Sequence, residues 1–541
     1  MTNTTLESKA EPVPSVWSPL RYAVFRALWI AGLVSDFGAW MHQVGEAWLM
    51  TSLSPSPLLV ALLQSADSLA IFLFSLPGGA LADVVDRRRL AIFTQAWLMF
   101  AALALGLLTL GGAVTPWILI ALSFVMSIGA AVDGPVWQAI VPDLVPRSDL
   151  PQALALGGIS INVARAFAPA LGGLVVAAVG PYAVFFLNAA TFVYVIAVLI
   201  RWRPVRTATT LPPERLLRAV QSGLRFVRHS PELLATFFRT GVALFAGSCL
   251  LALLPIFARR ELSLDSAGFG LLYGCMGVGA VISAALLPKL RMERSLDKAL
   301  AAGTIGFAVV LLLFAFARSA WLAAGAMLAG GVAWMFMLSS LNVAVQIETP
   351  SWVRARVLSI YLIVFQGAIA LGSVAWGTLA ERTTLRIAFI VSGATMLAGS
   401  LAGRTWFRLS SRAPDFSPSL HWPKPALVCE PAAEDGPVLV TLEYRVPPEN
   451  VKKFVEATRP LQRLRRRGGA YQWELFRDQA APDRFVETYI VDSWADHLRQ
   501  HERLTVEERD AEARLAELVK PGTEAIVKHL IAARPDAASE T

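Results

Sequence analysis

Five ionisable side chains lie inside long apolar stretches of the sequence. Asp36 and Glu46 are in the first stretch, Asp67 in the second, Asp133 in the fourth and Arg165 in the fifth. A charge at the centre of a bilayer costs ~2.5–3.5 kcal/mol on insertion scales, so such residues mark pathways for protons, ions or polar ligands. A carboxyl group in a poorly hydrated cavity can bind and release a proton near neutral pH. We predict that all except Glu46, which is near the end of its stretch and expected to be solvated, line such a pathway.

The stretches that carry these residues are long enough to cross a membrane. The chain has 541 residues, 55% hydrophobic and 16% charged, with a mean hydropathy of +0.54, whereas soluble domains are about 25% charged. A helix of roughly 20 apolar residues spans a bilayer, and helices satisfy their own backbone hydrogen bonds in lipid. The predicted helices are residues 21–50, 57–81, 90–110, 116–141, 150–179, 182–200, 233–259, 266–287, 298–316, 321–347, 356–380 and 385–406.

The basic residues are distributed as in a membrane protein rather than a nucleic-acid-binding protein. The net charge is +8, but the arginines cluster in short loops such as residues 87–89 and in the segment 201–230. By contrast, the loops near Ser52, Gly112 and Gly180 carry neither Lys nor Arg. The positive-inside rule therefore places both termini in the cytoplasm of an inner-membrane protein. The three cysteines are scattered, and neither a metal site nor a cofactor is expected.

The longest break between the apolar stretches falls midway, with six stretches before it and six after it. Duplicated halves around a central site are the layout of secondary transporters. We predict an all-α membrane fold of twelve helices in two six-helix bundles, followed by a soluble α+β module. The predicted divisions are a cytoplasmic tail (1–20), a first bundle (21–200), a central cytoplasmic loop (201–231), a second bundle (232–408), a linker (409–437) and the soluble module (438–541).

The strongest motif lies between the second and third predicted helices and reads Gly78-Gly79-Ala80-Leu81-Ala82-Asp83-Val84-Val85-Asp86-Arg87-Arg88-Arg89. It resembles the signature loop of the major facilitator superfamily at Gly79, Leu81, Asp83, Arg87 and Arg88, whereas Asp86 replaces a usual glycine. The resemblance implies that Asp83 caps the eleventh helix and gates the cytoplasmic side, with Arg87 and Arg88 as pairing cations. A carboxylate is favoured at a helix N-terminus by ~0.3–1 kcal/mol. The competing interpretation is a simple positive-inside anchor.

A second motif lies in the fifth predicted helix and reads Ala164-Arg165-Ala166-Phe167-Ala168-Pro169-Ala170-Leu171-Gly172-Gly173. It is similar to an exporter-type motif of the superfamily at Pro169, Gly172 and Gly173, although generic small-residue helix packing would give a similar pattern. Together, the two motifs and the Trp40-Met41-His42-Gln43 segment resemble the enterobactin-exporter-like branch, the transmembrane secretion effectors. The resemblance covers about residues 20–408 and implies export of a small molecule, with the substrate left open.

Helices 1 and 5 are neighbours in that family, which leads to a specific pairing. Asp36 and Arg165 each lie ~22 Å along their helices from the same end, so we predict an ion pair near mid-membrane. Gln43 follows Asp36 by seven residues and shares its face. The first half would hold the proton site, and a proton gradient would then drive transport. The alternative is a structural ion pair that only joins two helices.

The soluble module is predicted to have the order βαββαβ. Val440, Leu442 and Tyr444 alternate with polar residues at strand period, and Gly468-Gly469 ends an amphipathic helix. This order resembles antibiotic-biosynthesis-monooxygenase domains, which pair into a dimeric barrel. His497 and His501 share a helix face and could serve metal binding or proton transfer, but no third ligand has a diagnostic spacing. Because fold does not imply activity, a non-catalytic dimerisation or sensing role is favoured.

Three functional hypotheses follow from these patterns. The leading one is a secondary active exporter of a small organic molecule that works by alternating access between two bundles. The second is a membrane-tethered enzyme whose soluble module modifies the substrate. The third is a sensor whose helices only report a ligand to that module. Deleting residues 438–541 distinguishes them, because only the exporter would retain efflux.

Overall fold

The structure of the chain is a computed structural model. It describes residues 15–202, 216–293, 296–407, 415–417, 419, 421–422, 431–523 and 525–533. Within helices, the side chains of residues 83–84, 216–220 and 286–293 are not described. The predicted N-terminal tail and linker lie mostly outside the described residues.

The first six helices form around the apolar stretches of the first half. Ser56 and Thr115 cap two of them through their hydroxyl groups, each followed by a proline at the first helical turn, where the missing N–H costs nothing. The helices are α1 (Ala23–Leu53), α2 (Pro57–Val84), α3 (Arg87–Leu110), α4 (Pro116–Ile140), α5 (Leu150–Ala178) and α6 (Pro181–Arg201).

The second half contains six further membrane-length helices and one short amphipathic helix. These are α7 (Leu216–Arg228), α8 (Pro231–Arg260), α9 (Ser266–Glu293), α10 (Leu296–Phe316), α11 (Ala320–Ile347), α12 (Arg354–Arg382) and α13 (Leu385–Thr405). Among the described residues, twelve helices are long and apolar enough to span a membrane, which confirms the twelve predicted spans. Helix α7 lies in the segment predicted as a loop. That segment was not predicted as a membrane helix because its charged residues leave too little apolar length to cross a bilayer.

Close helix packing holds the first bundle together. Helix α1 packs on α5 and α6, α2 on α4, and α3 on α6. Asp149 joins the beginnings of α1 and α5, since its carboxylate accepts hydrogen bonds from Ser18 Oγ (2.9 Å), Arg21 (2.6 Å) and the Tyr22 hydroxyl (2.8 Å). These contacts fix the end of the bundle at which α1 and α5 begin.

The C-terminal module is a four-stranded antiparallel sheet covered by helices. Its elements are β1 (Val438–Arg445), α14 (Val451–Arg467), β2 (Tyr471–Arg477), β3 (Arg484–Val491), α15 (Trp494–Arg503), α16 (Val506–Ala516) and β4 (Ile526–Ile531). The strand order is β2-β3-β1-β4, the arrangement of a split βαβ, ferredoxin-like sheet. The predicted second helix is divided in two, because Thr505 starts α16 with a capping box to Glu508.

The chain divides into two compact units. The first comprises Met1–Leu211, Arg239–Ser340 and Leu362–Trp406, and the second comprises Pro212–Phe238, Leu341–Tyr361 and Phe407–Thr541. Within the second unit, Arg225 of α7 donates to the carbonyl oxygen of Gly469 at 2.6 Å. The guanidinium of Arg503 also stacks on Trp352 at 4.2 Å. The soluble module is therefore packed against α7 and the segment between α11 and α12.

Candidate functional site

A cavity of about 940 Å³ occupies the interior of the first bundle. Its lining on α1 runs from Phe25, in the first turn, to Glu46. Almost all of the lining comes from α1 to α6, and Gln366 and Ile369 of α12 are the two lining residues from the second half. Of the predicted pathway residues, Asp36, Gln43, Asp67 and Asp133 line it, as does Gln64. The cavity reaches the end of the bundle at which α1 begins.

The predicted Asp36–Arg165 ion pair is not formed. Asp36 instead accepts a hydrogen bond from Ser160 Oγ at 2.8 Å. The guanidinium of Arg165 stacks on Trp40, 5.3 Å from the ring centroid, one helical turn beyond Asp36. Since Ser160 and Arg165 are five residues apart on α5, their side chains diverge by ~140°. The prediction compared only the distances of Asp36 and Arg165 along their helices. Equal distances do not make the two side chains face each other.

Asp133 is held by two donors from α3. Thr94 Oγ1 donates to one carboxylate oxygen at 2.6 Å, and Gln95 Nε2 donates to the other at 2.9 Å. The sequence analysis did not single out Thr94 or Gln95. The only signal available was their polarity within an apolar stretch, which many packing residues share.

Glu46 belongs to a buried polar cluster and is not solvated as expected. It is 5% exposed and contacts His42 Nε2 at 3.1 Å and Ser123 Oγ at 2.6 Å. Asp67 lies near enough for electrostatic interaction with Glu46 and accepts from Ser127 Oγ at 2.9 Å. Glu46 was expected to be solvated because it is near the end of its apolar stretch. This expectation was wrong because α1 extends to Leu53 and α4 covers Glu46. This cluster adds His42 and Glu46 to the site.

Small residues close the other end of the cavity. A Cβ atom on Gly173 would lie 2.3 Å from the carbonyl oxygen of Ser266 on α9, and one on Gly277 would lie 2.3 Å from that of Arg165. A Cβ atom on Gly270 would lie 2.4 Å from the carbonyl oxygen of Pro169, and Gly172 packs against Met41 of α1. The motif residues Pro169, Gly172 and Gly173 thus bring α5 into backbone contact with α1 and α9.

A second contact, between α2 and α12, closes the same end. Ser65 Oγ on α2 donates to the carbonyl oxygen of Ala370 on α12 at 2.9 Å. A Cβ atom on Gly377 would lie 2.5 Å from that of Ala61. Helix α12 therefore packs closely against α2 at this end.

The basic loop between α2 and α3 binds the ends of neighbouring helices. Arg87 donates to Asp143 and to the carbonyl oxygen of Ala139, both at 3.0 Å, and Arg88 donates to Leu199 at 2.8 Å. Cations are favoured at such helix C-termini. Asp86, in place of the usual glycine, caps α3 by accepting from the backbone N–H of Arg89.

Three further residues of the predicted gate lie near the end of α2. The side chain of Asp83 lies outside the described part of the chain, so its capping role stays a prediction. Leu81 is exposed. A Cβ atom on Gly79 would have no neighbour within 4 Å among the described residues, whereas one on Gly78 would lie 2.9 Å from Val132 of α4. Gly78 therefore makes the close helix contact.

Twelve membrane-length helices, with a polar cavity inside the first six, are the layout of a multi-pass membrane transporter. The family model described as "Transmembrane secretion effector" matches residues 14–536, including the soluble module. The chain belongs to this family of major facilitator transporters. A solved structure of the nucleoside transporter NupG superposes with a TM-score of 0.58 at 13% identity, over 71% of this chain and 99% of that chain, which supports the fold.

Curated relatives are transporters as well. The uncharacterized MFS-type transporter YfiS of Bacillus subtilis (strain 168) is 27% identical over 393 residues, 67% of this chain and 88% of the relative. The staphyloferrin A transporter of Staphylococcus aureus (strain NCTC 8325 / PS 47) is 26% identical over 256 residues, 47% of this chain and 64% of the relative. The enterobactin exporter EntS of Shigella boydii serotype 4 (strain Sb227) is 26% identical over 348 residues, 62% and 80% respectively.

Proposed function

We propose that the protein exports a siderophore-like organic molecule across the inner membrane by proton-coupled alternating access, with both termini in the cytoplasm. The observation that carries the proposal is the cavity of the first bundle, into which Asp36, Asp67 and Asp133 project. Two of the relatives are named for staphyloferrin A and enterobactin, which supports the substrate class. The basic loops at the open end support its cytoplasmic orientation.

The hydrogen bonds of the cavity support proton coupling. Ser160, Ser127 and Thr94 are the hydroxyl donors to the three aspartates, and a hydroxyl can donate to a carboxylate or accept from a carboxylic acid. Among the described residues, no Lys or Arg forms an ion pair with these aspartates. Each can therefore exchange a proton without breaking a salt bridge.

The packing at the two ends supports alternating access. The cavity reaches the end where α1 begins, while the α5–α9 and α2–α12 contacts close the other end through close helix packing at glycines. Such contacts carry no covalent or ionic link, so a rocking motion of the bundles can break and re-form them. Arg165, stacked on Trp40 beside the α5–α9 contact, would be uncovered when that contact opens.

Uptake into inside-out vesicles tests the transport proposal. Vesicles holding the wild-type protein, with an acidic interior, should accumulate an iron-free siderophore, and a protonophore should abolish the accumulation. The panel should include a carboxylate siderophore, a catecholate siderophore, a cationic drug and a dye. Uptake of only the drug or dye would overturn the substrate class, and uptake unaffected by the protonophore would overturn proton coupling.

A glycine substitution tests alternating access. Gly173→Leu places a side chain where 2.3 Å is available, and overpacking of this kind costs ~1–3 kcal/mol. We expect the form in which the α5–α9 contact is open to gain population by ~5–150-fold. The measurement uses a Gly157→Cys reporter in the cavity, in a chain whose native cysteines are replaced by alanine. Maleimide labelling of this reporter should be slower in the Gly173→Leu variant. Gly325→Ala, at a position with no neighbour within 4 Å among the described residues, is the control. Equal labelling of both variants would contradict a two-state cavity.

We propose an accessory role for the soluble module. It packs on α7 through Arg225 and on the α11–α12 segment through Arg503, which are positions suited to modulating the bundle. Deleting residues 438–541 should leave measurable efflux with altered rate. Complete loss of efflux with normal membrane insertion would show that the module is essential to transport.

A further inference from the structure

Three imidazoles meet between α15 and β4 of the C-terminal module. His497 and His501 lie one turn apart on α15, and His529 lies on β4. One ring nitrogen of each lies within 4.8 Å of the others, and Nε2 of His497 is 3.2 Å from Nε2 of His501. Three of the six histidines of the chain thus converge on one point.

Two rigid elements hold these rings. Ser493 caps α15 by accepting from the backbone N–H of Asp496. His529 is opposite Val440 in the β1–β4 ladder. The Trp494 ring packs against His497 and His529, with centroids 5.3 Å and 6.0 Å away. Donors fixed on a helix and a strand are held more precisely than donors on loops.

We propose that His497, His501 and His529 bind a divalent first-row transition-metal ion, and that Zn²⁺ is the ion that the set fits best. Zn–N bonds of ~2.0–2.1 Å in a tetrahedron put the nitrogen atoms ~3.3 Å apart, close to the 3.2 Å between His497 and His501. Imidazole donors suit zinc, copper, iron and nickel, whereas magnesium and calcium prefer oxygen. Three histidines leave a fourth position open for water or an incoming ligand.

Two buried atoms beside the cluster support metal binding. Nδ1 of His497 and Oε1 of Gln500 have no hydrogen-bond partner among the described residues. A metal on Nε2 fixes the ring proton on Nδ1, and liganding histidines normally donate that proton to an outer acceptor. Gln500 is three residues further along α15 and has the free acceptor. With a metal bound at Nε2, Nδ1 of His497 would carry a proton and Oε1 of Gln500 would be available to accept it in a hydrogen bond.

Zinc binding to the full-length protein tests the inference and does not depend on transport. The chain is purified in detergent without a polyhistidine tag, treated with a chelator and dialysed against Zn²⁺. The wild type should bind one ion per chain. His529→Ala and His501→Ala should lower the affinity by more than the ~10–100-fold that loss of an outer-shell partner costs. His229→Ala, in the turn that follows α7 and outside the cluster, is the matched control.

Cobalt provides a second readout that reports geometry. Co²⁺ bound to the wild type should show the visible absorption of a tetrahedral ion, which His529→Ala should abolish while circular dichroism stays unchanged. His529 is only half-buried, so its removal does not empty a core position. The inference is overturned if the wild type binds zinc no more tightly than the His501→Ala/His529→Ala double variant, or if His229→Ala causes the same loss.

Discussion

The cavity and the soluble module both hold buried carboxylates, and the partners of these groups differ. In the cavity, Asp36, Asp67 and Asp133 accept hydrogen bonds from uncharged side chains. In the soluble module, Arg465 lies between Glu487 and Glu512, with N–O distances of 3.4 Å and 2.7 Å. Both regions keep carboxyl groups from bulk water, but among the described residues a guanidinium forms ion pairs with these groups only in the soluble module.

This difference in partners separates carboxyl groups that can change their charge from carboxyl groups whose charge is fixed by an ion pair. A buried ion pair resists removal of either partner because the remaining charge is left without compensation. A carboxyl group held by hydroxyls keeps a hydrogen-bond partner in both protonation states. The cavity carboxyl groups therefore suit the proton exchange that we propose, whereas the Arg465 network holds α14, α16 and the sheet in place.

The largest expected effect is on transport. Asp133→Asn and Asp36→Asn keep the size of the side chain but cannot release a proton, so pH-driven uptake in inside-out vesicles should fall to that of vesicles without the protein. Because neither residue forms an ion pair among the described residues, membrane expression should stay normal. Asp67→Asn tests the third site in the same assay.

The matched control is a carboxylate outside the cavity. Asp510→Asn, at an exposed position on α16, should leave uptake unchanged. If one cavity variant retains full pH-driven uptake, that residue has no part in coupling. If all three do, the contrast between the two regions is incorrect.

The next effect is on stability. Arg465→Met leaves Glu487, whose side chain is 0% exposed, without its cation, and breaking a buried pair costs ~3–5 kcal/mol. Hydrogen exchange of the β1 and β3 amides in the full-length protein measures the loss as faster exchange. Arg509→Met, at an exposed pair, should stay within ~0.5 kcal/mol. Equal exchange in the two variants would show that the Arg465 network is not stabilising.

The sequence was sufficient for the helices and for the half of the chain that carries the cavity. Length and hydropathy determine a membrane helix, so the ends of α1 to α6 agree with prediction to within three residues. The small residues of α5 indicated close helix packing without naming the partner helix, and the structure has such packing at Gly173, where a Cβ atom would lie 2.3 Å from the carbonyl oxygen of Ser266.

The partners of the charged groups could not be predicted, because they depend on helix rotation. A period of 3.6 residues turns Arg165 ~140° away from Ser160, and no local pattern shows which of the two faces Asp36. Ser123 and Ser127 are ordinary residues until α4 brings them to Glu46 and Asp67. In the same way, His529 is distant in sequence from His501, and only the β1–β4 pairing brings it there.

The smallest expected effect is a pH dependence confined to the soluble module. Burial alone would raise the pKa of Glu512, but Arg465 and hydrogen bonds from His421 and Trp422 outweigh burial and lower the pKa to about 2. The unfolded chain then binds a proton at higher pH than the folded chain does. Relative to the ordinary glutamate pKa of 4.5, this difference contributes about 3 kcal/mol of stability near neutral pH.

Because the pKa of Glu512 is lowered in the folded chain, its contribution to stability is lost over a defined pH range that a variant can test. The contribution of Glu512 is complete above about pH 5 and is lost as the pH falls through 4.5 towards 2. Glu512→Gln should therefore be less stable than the wild type at pH 7, and the two should converge as the pH approaches 2, in hydrogen exchange corrected for intrinsic amide rates. Glu502→Gln, at an exposed position on α15, should follow the wild type throughout. A constant gap between Glu512→Gln and the wild type would mean that Glu512 stabilises the module by packing rather than by charge, so the module would lack the fixed ion pair that distinguishes it from the cavity.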